Sequence, residues 1–415
     1  MPSRIHYHSD CAFFAGCENM LVNFWSSPAI RANFHITFSY RESRLYREGL
    51  HSRVKPDFPL YPLGFPDPSE ILPAPLKPRL LRGALRFGSR LLFTVPLLLY
   101  EVWVLSRLLH RAAPDIVHIN NGGYPAALSA RAAALAARLA GVPSIMVVNN
   151  LAAGYRDPMR WLEYPLDRLV ARSVQRFVTG SNAAAVKLKA TLRLAADRCV
   201  SINNGIKLRQ PSESVRATRQ RLGLDGFTGV VFGIIAVMEP RKGHRVLFEA
   251  MTRLRRTEPN LFERCRLIIE GDGLLRRELE SFAVQHDLKQ ACIFVGSEPH
   301  VMNLFAAIDV LVLASIDFED FPNVVLEAMG YSKAVIASRL AGTPEQVVDG
   351  ETGYLVPPGD SEALAGAMAR LCADPSLAST FGRNGLERFE QSFTAEVATG
   401  RYVALYKSII EAQHI

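Results

Sequence analysis

The chain has 415 residues, of which 49% are hydrophobic and 21% are charged; this excludes a disordered or fibrous protein and predicts two domains with separate cores. Residues 1–210 hold 27 Lys and Arg against 13 Asp and Glu, whereas the remainder holds 21 against 27. A basic first half without a nucleic-acid motif indicates an anionic membrane surface or a phosphorylated lipid acceptor as partner, and no nucleic acid.

The first half of the chain predicts strands joined by helices. Its strand-like runs cover 36–40, 115–119, 144–148, 176–179 and 199–202, and an Ala-rich helix covers 125–140. Six cysteines without a C-x-x-C pair favour a reduced, cytoplasmic setting, and the first ten residues lack the apolar core of a signal peptide.

A segment at 77–111 follows the Pro-rich stretch 56–78 and invites two interpretations. Its arginines Arg79, Arg82, Arg86 and Arg90 recur at helical spacing, so they share one face. The apolar run after them has only ten residues, includes Pro96, and is too short to span a bilayer. The segment is either a basic amphipathic helix lying at a membrane interface or a buried helix pair with solvated arginines.

The second half alternates strands and helices regularly. Strands are predicted at 229–236, 265–270, 292–295, 310–314, 334–338 and 353–356, with helices at 244–255, 274–286 and 361–373. This alternation is typical of a doubly wound parallel sheet, which binds ligands at the carboxyl ends of its strands. Polar residues at 205–226 predict the linker between the domains.

The stretch 314–359 carries the strongest functional signal. Glu319 lies on a loop after an apolar strand, Pro322 suits the start of a helix, and Glu327 lies on that helix eight residues after the first acid. The helix start offers free N–H groups and a positive dipole end beside a carboxylate. That combination suits a diphosphate attached to a polyhydroxylated sugar.

The motifs of this stretch resemble the donor site of glycosyltransferase family 4. The matching parts are E-x-F-P-N-V-V-L-E-A-M, A-G-T-P-E and D-G-E-T-G-Y-L-V-P-P-G-D. The resemblance implies an α/β protein of GT-B fold, with two Rossmann-like doubly wound parallel-sheet domains facing a central cleft. It implies an acceptor domain at 1–210, a nucleotide-sugar domain at 211–393, and a last helix, 394–415, that crosses back to the first domain.

The family's activity is a retaining transfer of a sugar from a nucleoside-diphosphate sugar to an acceptor (EC 2.4). For this chain we expect a glycan or lipid-linked acceptor, in envelope polysaccharide or lipid-linked glycan assembly. In the family the second Glu, Glu327 here, bonds the ribose hydroxyls, which a carboxylate accepts without proton transfer. The first, Glu319, contacts the donor sugar. We expect Glu319 to position that sugar and stabilise charge, and Asp320 replaces the family's usual Gly.

The resemblance assigns Lys242, in the loop after the first strand of the second domain, to neutralise the departing diphosphate. The family's Arg is missing at positions 236 and 237, so Arg241 is expected to replace it. We list the candidate donor-binding residues as Glu327, Arg241, Gly271, Gly273, Phe321, Pro322, Asn323, Val324 and Gly16. The glycines Gly271 and Gly273 have a second explanation, because a strand-to-helix turn alone requires them.

His118 is the candidate catalytic residue of the first domain. Family members often carry H-x-H there, and this chain has Asn120 in the second place. His118 is expected to end its strand, either as an acceptor contact or as a hydrogen-bonded histidine without a catalytic role. We expect no metal and no cofactor other than the co-substrate, because no D-x-D or His/Cys cluster occurs.

Two alternatives to a transferase stay open at this point. A non-catalytic GT-B protein that binds a nucleotide sugar or organises a pathway would account for the missing Arg, the missing second His and Asp320. An epimerase or phosphorylase of the same fold is the other, although the pattern around the two Glu residues matches the transferases better.

Overall fold

The computed structural model describes residues 2–11, 14, 16–66, 79–156, 158–317 and 319–413. The chain divides into two compact units: a first unit, Met1–Ile202 with Thr399–Ile415, and a second unit, Asn203–Ala398. Part of the predicted Pro-rich stretch, residues 67–78, lies outside the described residues.

All the described strands pair in parallel. The first unit has a seven-stranded sheet in the order β3-β2-β1-β4-β5-β6-β7 and the second a six-stranded sheet in the order β10-β9-β8-β11-β12-β13. The strands are β1 Ser3–Ser9, β2 Phe34–Arg41, β3 Leu60–Leu63, β4 Ile116–Asn121, β5 Ser144–Val148, β6 Arg176–Thr179, β7 Cys199–Ser201, β8 Val230–Ile235, β9 Cys265–Glu270, β10 Cys292–Gly296, β11 Val310–Leu313, β12 Ala334–Ser338 and β13 Gly353–Val356.

Helices connect successive strands and cover the sheets. They are α1 Gly16–Ser26, α2 Pro28–Asn33, α3 Arg44–Arg53, α4 Arg79–Ala112, α5 Leu128–Leu139, α6 Pro158–Leu162, α7 Tyr164–Ser173, α8 Asn182–Leu192, α9 Val215–Arg221, α10 His244–Thr257, α11 Pro259–Phe262, α12 Arg276–Gln285, α13 Val301–Ala307, α14 Asn323–Gly330, α15 Thr343–Gln346, α16 Ser361–Ala373, α17 Pro375–Ser392 and α18 Ala395–Glu411. The predicted fold, two doubly wound parallel sheets, is confirmed.

Each unit has its own apolar core. In the second unit, α10 buries Leu247, Phe248, Met251 and Leu254 in the same cluster as β8, β9 and α16. These residues recur every three or four positions, which places them on one face of the helix. Strands such as β8 and β11 are apolar along their length, as expected where helices cover both faces of a parallel sheet.

The central strand β1 was missed in the sequence because it carries two histidines. His6 and His8 are buried, and each imidazole bonds hydroxyl groups at both nitrogens. Ser39 lies within 2.9 Å of both rings and joins them into one hydrogen-bonded row. Burial lowers the pKa of both histidines to about 3, so this row is neutral.

The basic and apolar parts of 79–112 form one helix, α4, rather than a helix pair. Its inner face packs against α5, with Val102, Leu105 and Leu109 buried. Within the described chain, Phe93–Ala112 is by length and composition apolar enough to cross a membrane, with a mean hydropathy of 1.2. The prediction that the apolar run is too short considered only ten residues of this helix. The side chains of its N-terminal arginines lie outside the described ones.

Candidate active site

Lys242 lies beside the carboxyl end of the second unit's sheet because a glycine allows two loops to touch. The turn Pro240–Lys242 follows β8, and Gly243 after it has a φ of 69°. A Cβ on Gly243 would lie 1.8 Å from the carbonyl oxygen of Ala314, just after β11. The Ile316 N–H also donates to the Arg241 carbonyl at 2.8 Å. The loops after β8 and β11 are therefore in direct backbone contact.

This contact brings Lys242 and Glu319 together. Lys242 Nζ donates to Glu319 Oε2 at 2.6 Å, and Ser315 Oγ donates to the same oxygen at 3.0 Å. An Arg241 Nη1 atom lies 3.7 Å from it, while Nη2 bonds Glu239 at 2.6 Å. Two cations thus lie beside one nearly buried carboxylate. The expectation that Arg241 replaces the missing family Arg stays a prediction.

The start of α14 is held in place by polar contacts to other segments. Asn204 Nδ2 donates to Asn323 Oδ1 at 3.2 Å and to the Phe321 carbonyl at 3.4 Å. Gln346 Nε2 donates to the Pro322 carbonyl at 3.1 Å. The N-cap residue Pro322 has no side-chain hydrogen bond to this helix, and the amino end of α14 carries the positive end of the helix dipole, which favours an anion.

The side chain of Phe321, which we predicted to bind the donor, packs inside the second unit. Its ring is buried against Phe393 at a centroid distance of 5.7 Å. Asn323 likewise directs its side-chain oxygen to Asn204. Any donor contact from the predicted set Phe321–Val324 therefore falls mainly to backbone N–H groups. Asp320 is only 3% exposed, so this acid replaces the usual glycine without projecting into solvent.

Glu327 lies one and a half turns into α14 and opens into a small pocket. The pocket is lined by Lys207, Arg209, Phe305 and Tyr331, among others. Burial raises the pKa of Glu327 to about 7, with the Arg209 cation opposing the shift and the Glu270 carboxylate adding to it. No sequence pattern predicted Lys207 or Arg209 as site residues, since both lie in the stretch 205–226 that we assigned to the linker.

Packing explains the two glycines of the loop after β9. Gly271 has a φ of 115° and Gly273 a φ of 153°. A Cβ on Gly271 would lie 2.2 Å from the carbonyl oxygen of Ala236, and a Cβ on Gly273 would lie 2.6 Å from the carbonyl oxygen of Met238. The turn explanation is therefore sufficient for both, and a direct ligand contact stays a prediction.

The structure corrects the predicted place of His118 in the first unit. It is the third residue of the six-residue strand β4, not its end, and it is fully buried. Its Nδ1 lies 2.6 Å from the Tyr406 hydroxyl of α18, and burial lowers its pKa to about 3. A neutral imidazole enclosed by aromatic rings does not reach an acceptor, so this position does not support a catalytic role.

The carboxyl ends of β1 and β4 carry a polar cluster that we did not predict. Asn120 Nδ2 donates to Ser9 Oγ at 3.2 Å, and Ser9 Oγ donates to Glu18 Oε1 at 3.1 Å. Asn149 Nδ2 donates to Asn120 Oδ1 at 2.8 Å. Gly16 is the first residue of α1, two positions before Glu18.

Across the described residues, no group of three or more His, Cys, Asp or Glu side chains is arranged to hold a metal ion. The charges available near Glu319 are those of Lys242 and Arg241. A diphosphate at this place would meet these two cations and the amino end of α14.

The chain is similar to known glycosyltransferases along most of its length. Residues 225–388 match the family described as Glycosyl transferases group 1, and residues 63–210 match Glycosyltransferase Family 4. The lipopolysaccharide core biosynthesis glycosyltransferase LpsE of Rhizobium meliloti is 31% identical over 47% of this chain and 54% of its own length. A D-inositol 3-phosphate glycosyltransferase of Stackebrandtia nassauensis is 29% identical over 66% of each. The matched region spans about half to two thirds of these relatives.

Solved structures share the fold over nearly the whole chain. Anabaena Alr3699/HepE in complex with UDP superposes with a TM-score of 0.74 at 19% identity, covering 98% of this chain and 100% of its own. The sucrose-phosphate synthase of Thermosynechococcus elongatus gives 0.70 at 21% identity, covering 99% and 100%. With both family matches, the two parallel sheets and these neighbours, the chain belongs to the group 1 glycosyltransferases of GT-B fold.

Proposed function

We propose that the protein transfers a sugar, with retention, from a nucleoside-diphosphate sugar to a glycan or lipid-linked acceptor. The observation that carries this proposal is the cluster of Lys242, Arg241 and Glu319 beside the amino end of α14. Lys242 and Glu319 lie 77 residues apart in the sequence. Their loops meet where the backbone of Gly243 packs against the carbonyl group of Ala314.

Lys242 and the start of α14 hold the diphosphate. An ammonium group has three N–H donors. Lys242 uses one on Glu319, so it can donate to a phosphate oxygen without leaving the acid. Stabilising the charge that grows on the leaving diphosphate lowers the barrier to its departure. Arg241 adds a second cation from the same turn.

Glu327 binds the ribose. Its carboxylate opens into the pocket beside Arg209 and Tyr331 and accepts hydrogen bonds from two vicinal hydroxyls. A pKa of about 7 means that the free protein holds this group partly protonated at neutral pH. Two hydroxyl donors favour the ionised form, so ribose binding and loss of the proton are coupled.

Glu319 positions the sugar and stabilises the positive charge that develops on it. Retention then follows from a front-face reaction, in which the acceptor hydroxyl attacks from the side that the diphosphate leaves. The departing phosphate oxygen takes the acceptor proton. Because Lys242 and Ser315 both donate to Oε2 of Glu319, these hydrogen bonds fix the direction of its carboxylate.

We place this activity in envelope polysaccharide or lipid-linked glycan assembly. Two of the relatives are named for such pathways, LpsE of Rhizobium meliloti and the O-antigen chain mannosyltransferase C of Escherichia coli. Acceptors of this kind carry phosphate groups or a lipid, which the net positive charge of residues 1–210 suits.

The outer face of α4 supports attachment to an anionic membrane surface. Leu99 is 64% exposed and Trp103 is 51% exposed, and Arg107 lies over the Trp103 ring at 4.0 Å. Aromatic and apolar residues beside cations are typical of helices that lie in the headgroup region. Because the inner face packs on α5, we propose that α4 lies along the surface and does not span it.

Vesicle flotation tests the attachment. The variant Leu99→Ser with Trp103→Ser should lower binding to vesicles with anionic lipid about tenfold or more. Leu139→Ser removes an equally exposed leucine from α5 and is the matched control. Equal binding by both variants would rule out α4 as the membrane contact.

Thermal-shift screening with UDP, GDP, ADP and dTDP sugars tests the donor site. A bound donor raises the unfolding temperature by mass action, about 2.7 kcal/mol at a hundredfold excess over Kd. Glu327→Ala should abolish the shift, whereas Glu351→Ala, an exposed acid on a turn of the same unit, should not. A shift that survives Glu327→Ala would refute the ribose assignment.

A non-catalytic nucleotide-sugar-binding protein remains the second candidate, and the observation that favours it is Asp320. This acid is buried one residue from Glu319, at a position where the family resemblance leads us to expect glycine. Nucleotide binding together with no sugar release, in the presence of a lipid extract from the source cells, would support this alternative over the transferase.

A further inference from the structure

A cleft in the first unit has no part in the proposed donor site. It has a volume of about 310 Å³ and is lined by Tyr155, Trp161, Tyr164, Thr191 and Arg193, with Gly154 at one side. Small-molecule sites in proteins begin at about 300 Å³. A side-chain carbon at Gly154 would meet nothing within 4 Å, so the cleft is open there.

Three aromatic rings form the walls of this cleft. The Tyr155 ring lies 5.5 Å from that of Trp161 and 5.4 Å from that of Tyr164. Trp161 is 58% exposed, whereas Trp25 in the core of the same unit is fully buried. Side chains as large as tryptophan are largely buried in most proteins, so an exposed aromatic wall indicates a binding surface.

Two arginines stack on the aromatic rings, and one of them, Arg193, lines the cleft. The Arg193 guanidinium lies over the Tyr164 ring at 5.7 Å, and that of Arg160 lies over the Tyr155 ring at 4.9 Å. Arg160 is 8% exposed and bonds Asp167 through Nη1 at 2.6 Å. Among the described residues its Nε and Nη2 have no acceptor. These two nitrogens are buried and Arg160 does not line the cleft, so Arg160 supports the Tyr155 ring from behind, and Arg193 is the arginine at the cleft surface.

The walls are also held rigidly. The Tyr155 hydroxyl donates to Asp167 at 2.7 Å, and the Tyr124 hydroxyl donates to the other oxygen of Asp167 at 3.1 Å. Asp167 is itself fully buried. A ring fixed in this way loses little freedom when a ligand stacks on it, which favours binding.

We propose that this cleft is a saccharide-binding site, separate from the donor site. Sugar rings have an apolar face of C–H groups that packs on aromatic rings and a rim of hydroxyls. Arg193 and Thr191 supply donors and an acceptor for that rim. The choice of a glycan over other ligands with apolar faces rests on the proposed function. An acyl chain would leave these polar groups without partners.

Trp161 reports on the cleft directly. In a Trp103→Phe protein the remaining tryptophans are Trp161 and the buried Trp25. The probes are the delipidated core oligosaccharide of a rough-type lipopolysaccharide and, separately, vesicles containing its lipid A. The oligosaccharide should change the emission of Trp161 in a saturable way, and lipid A vesicles should not.

Variants of the lining residues then distinguish a loss of oligosaccharide binding from a loss of folding. In the Trp103→Phe background, Tyr164→Ala and Arg193→Ala should each weaken oligosaccharide binding at least tenfold. Val186→Ala, at an exposed residue of α8 about two turns before Arg193, should leave it unchanged. Each variant is also tested for the nucleotide-sugar thermal shift of the second unit, which should stay at the value of the parent.

Three results would overturn the proposal: no response to the oligosaccharide, a response that Tyr164→Ala and Arg193→Ala leave intact, or a response to lipid A alone. With the nucleotide-sugar shift preserved, any of them removes only the saccharide site. Loss of the nucleotide-sugar shift in the parent protein would instead count against the proposed function.

Discussion

Replacing Gly243 with Ala should destabilise the second unit and separate Lys242 from Glu319. The backbone of Gly243 has a φ of 69°, and its Cβ would lie 1.8 Å from the Ala314 carbonyl oxygen. That oxygen belongs to the backbone, so no side-chain rotation relieves the overlap. The loop after β8 must move away from the loop after β11, and Lys242 moves with it.

The chain provides a matched control for this change. Gly223 has a φ of 71°, and a Cβ there would meet nothing within 4 Å. Both substitutions place alanine in a left-handed conformation, at about 1–2 kcal/mol. Only Gly243→Ala adds the overlap, which in packed interiors destabilises by about 1–3 kcal/mol. The difference between the two variants is therefore about 1–3 kcal/mol.

Calorimetry of the two variants measures this difference. For a unit of this size, 1 kcal/mol shifts Tm by about 2–4 °C, so Gly243→Ala should unfold about 2–12 °C below Gly223→Ala. Turnover of the sugar nucleotide should fall in Gly243→Ala alone. Equal Tm values and equal turnover would show that the two loops do not touch as described.

Three further outcomes are expected. Burial raises the pKa of Glu327 from 4.5 to about 7, so the affinity for the sugar nucleotide should fall as pH is lowered from 8 to 6, and the affinity of Glu327→Gln should stay constant. Because the folded protein holds this proton more tightly than the unfolded chain, the wild type should lose stability relative to Glu327→Gln as pH rises from 6 to 8. Denaturation at several pH values measures this loss. Lys242→Ala should lower kcat about 10²–10³-fold, with partial recovery in Lys242→Arg, and a kcat within twofold of the wild type would contradict its role. Tyr406→Phe leaves the buried His118 without its partner and should destabilise by about 1–3 kcal/mol with kcat unchanged, so a loss of turnover without a loss of stability would return a functional role to His118.

Much of the fold could be predicted because the parallel strands are apolar and end abruptly. The strands at 144–148, 176–179, 265–270, 334–338 and 353–356 have the bounds that we predicted. The exceptions have physical causes. In β1 the histidines are neutral and bonded to hydroxyls, a state that a hydropathy pattern does not reveal. The edge strand β3 has four residues, including Pro62, and lacks an apolar run.

The candidate site was predicted in part, because its chemistry lies in two local motifs. Lys242 and Glu319 are brought together by a backbone contact at Gly243, which the sequence shows only as a glycine. Arg209 enters the Glu327 pocket from a stretch that is polar and irregular, so its position depends on tertiary packing alone. His118 has the residue type of a catalytic base, and only the structure shows that α18 covers it.

The packing of α18 has a consequence for synthesis of the chain. Tyr402 and Tyr406 close the aromatic cluster around His118, yet the whole second unit, Asn203–Ala398, is inserted between them and His118 in the sequence. At about 5–20 residues per second a ribosome needs roughly 10–40 s to make that insertion. During this interval all seven strands of the first sheet have been made, but Tyr7, Phe24 and the imidazole lack the two tyrosine rings of α18 that pack on them. Maturation of the first unit is therefore a late event, timed by translation of the second.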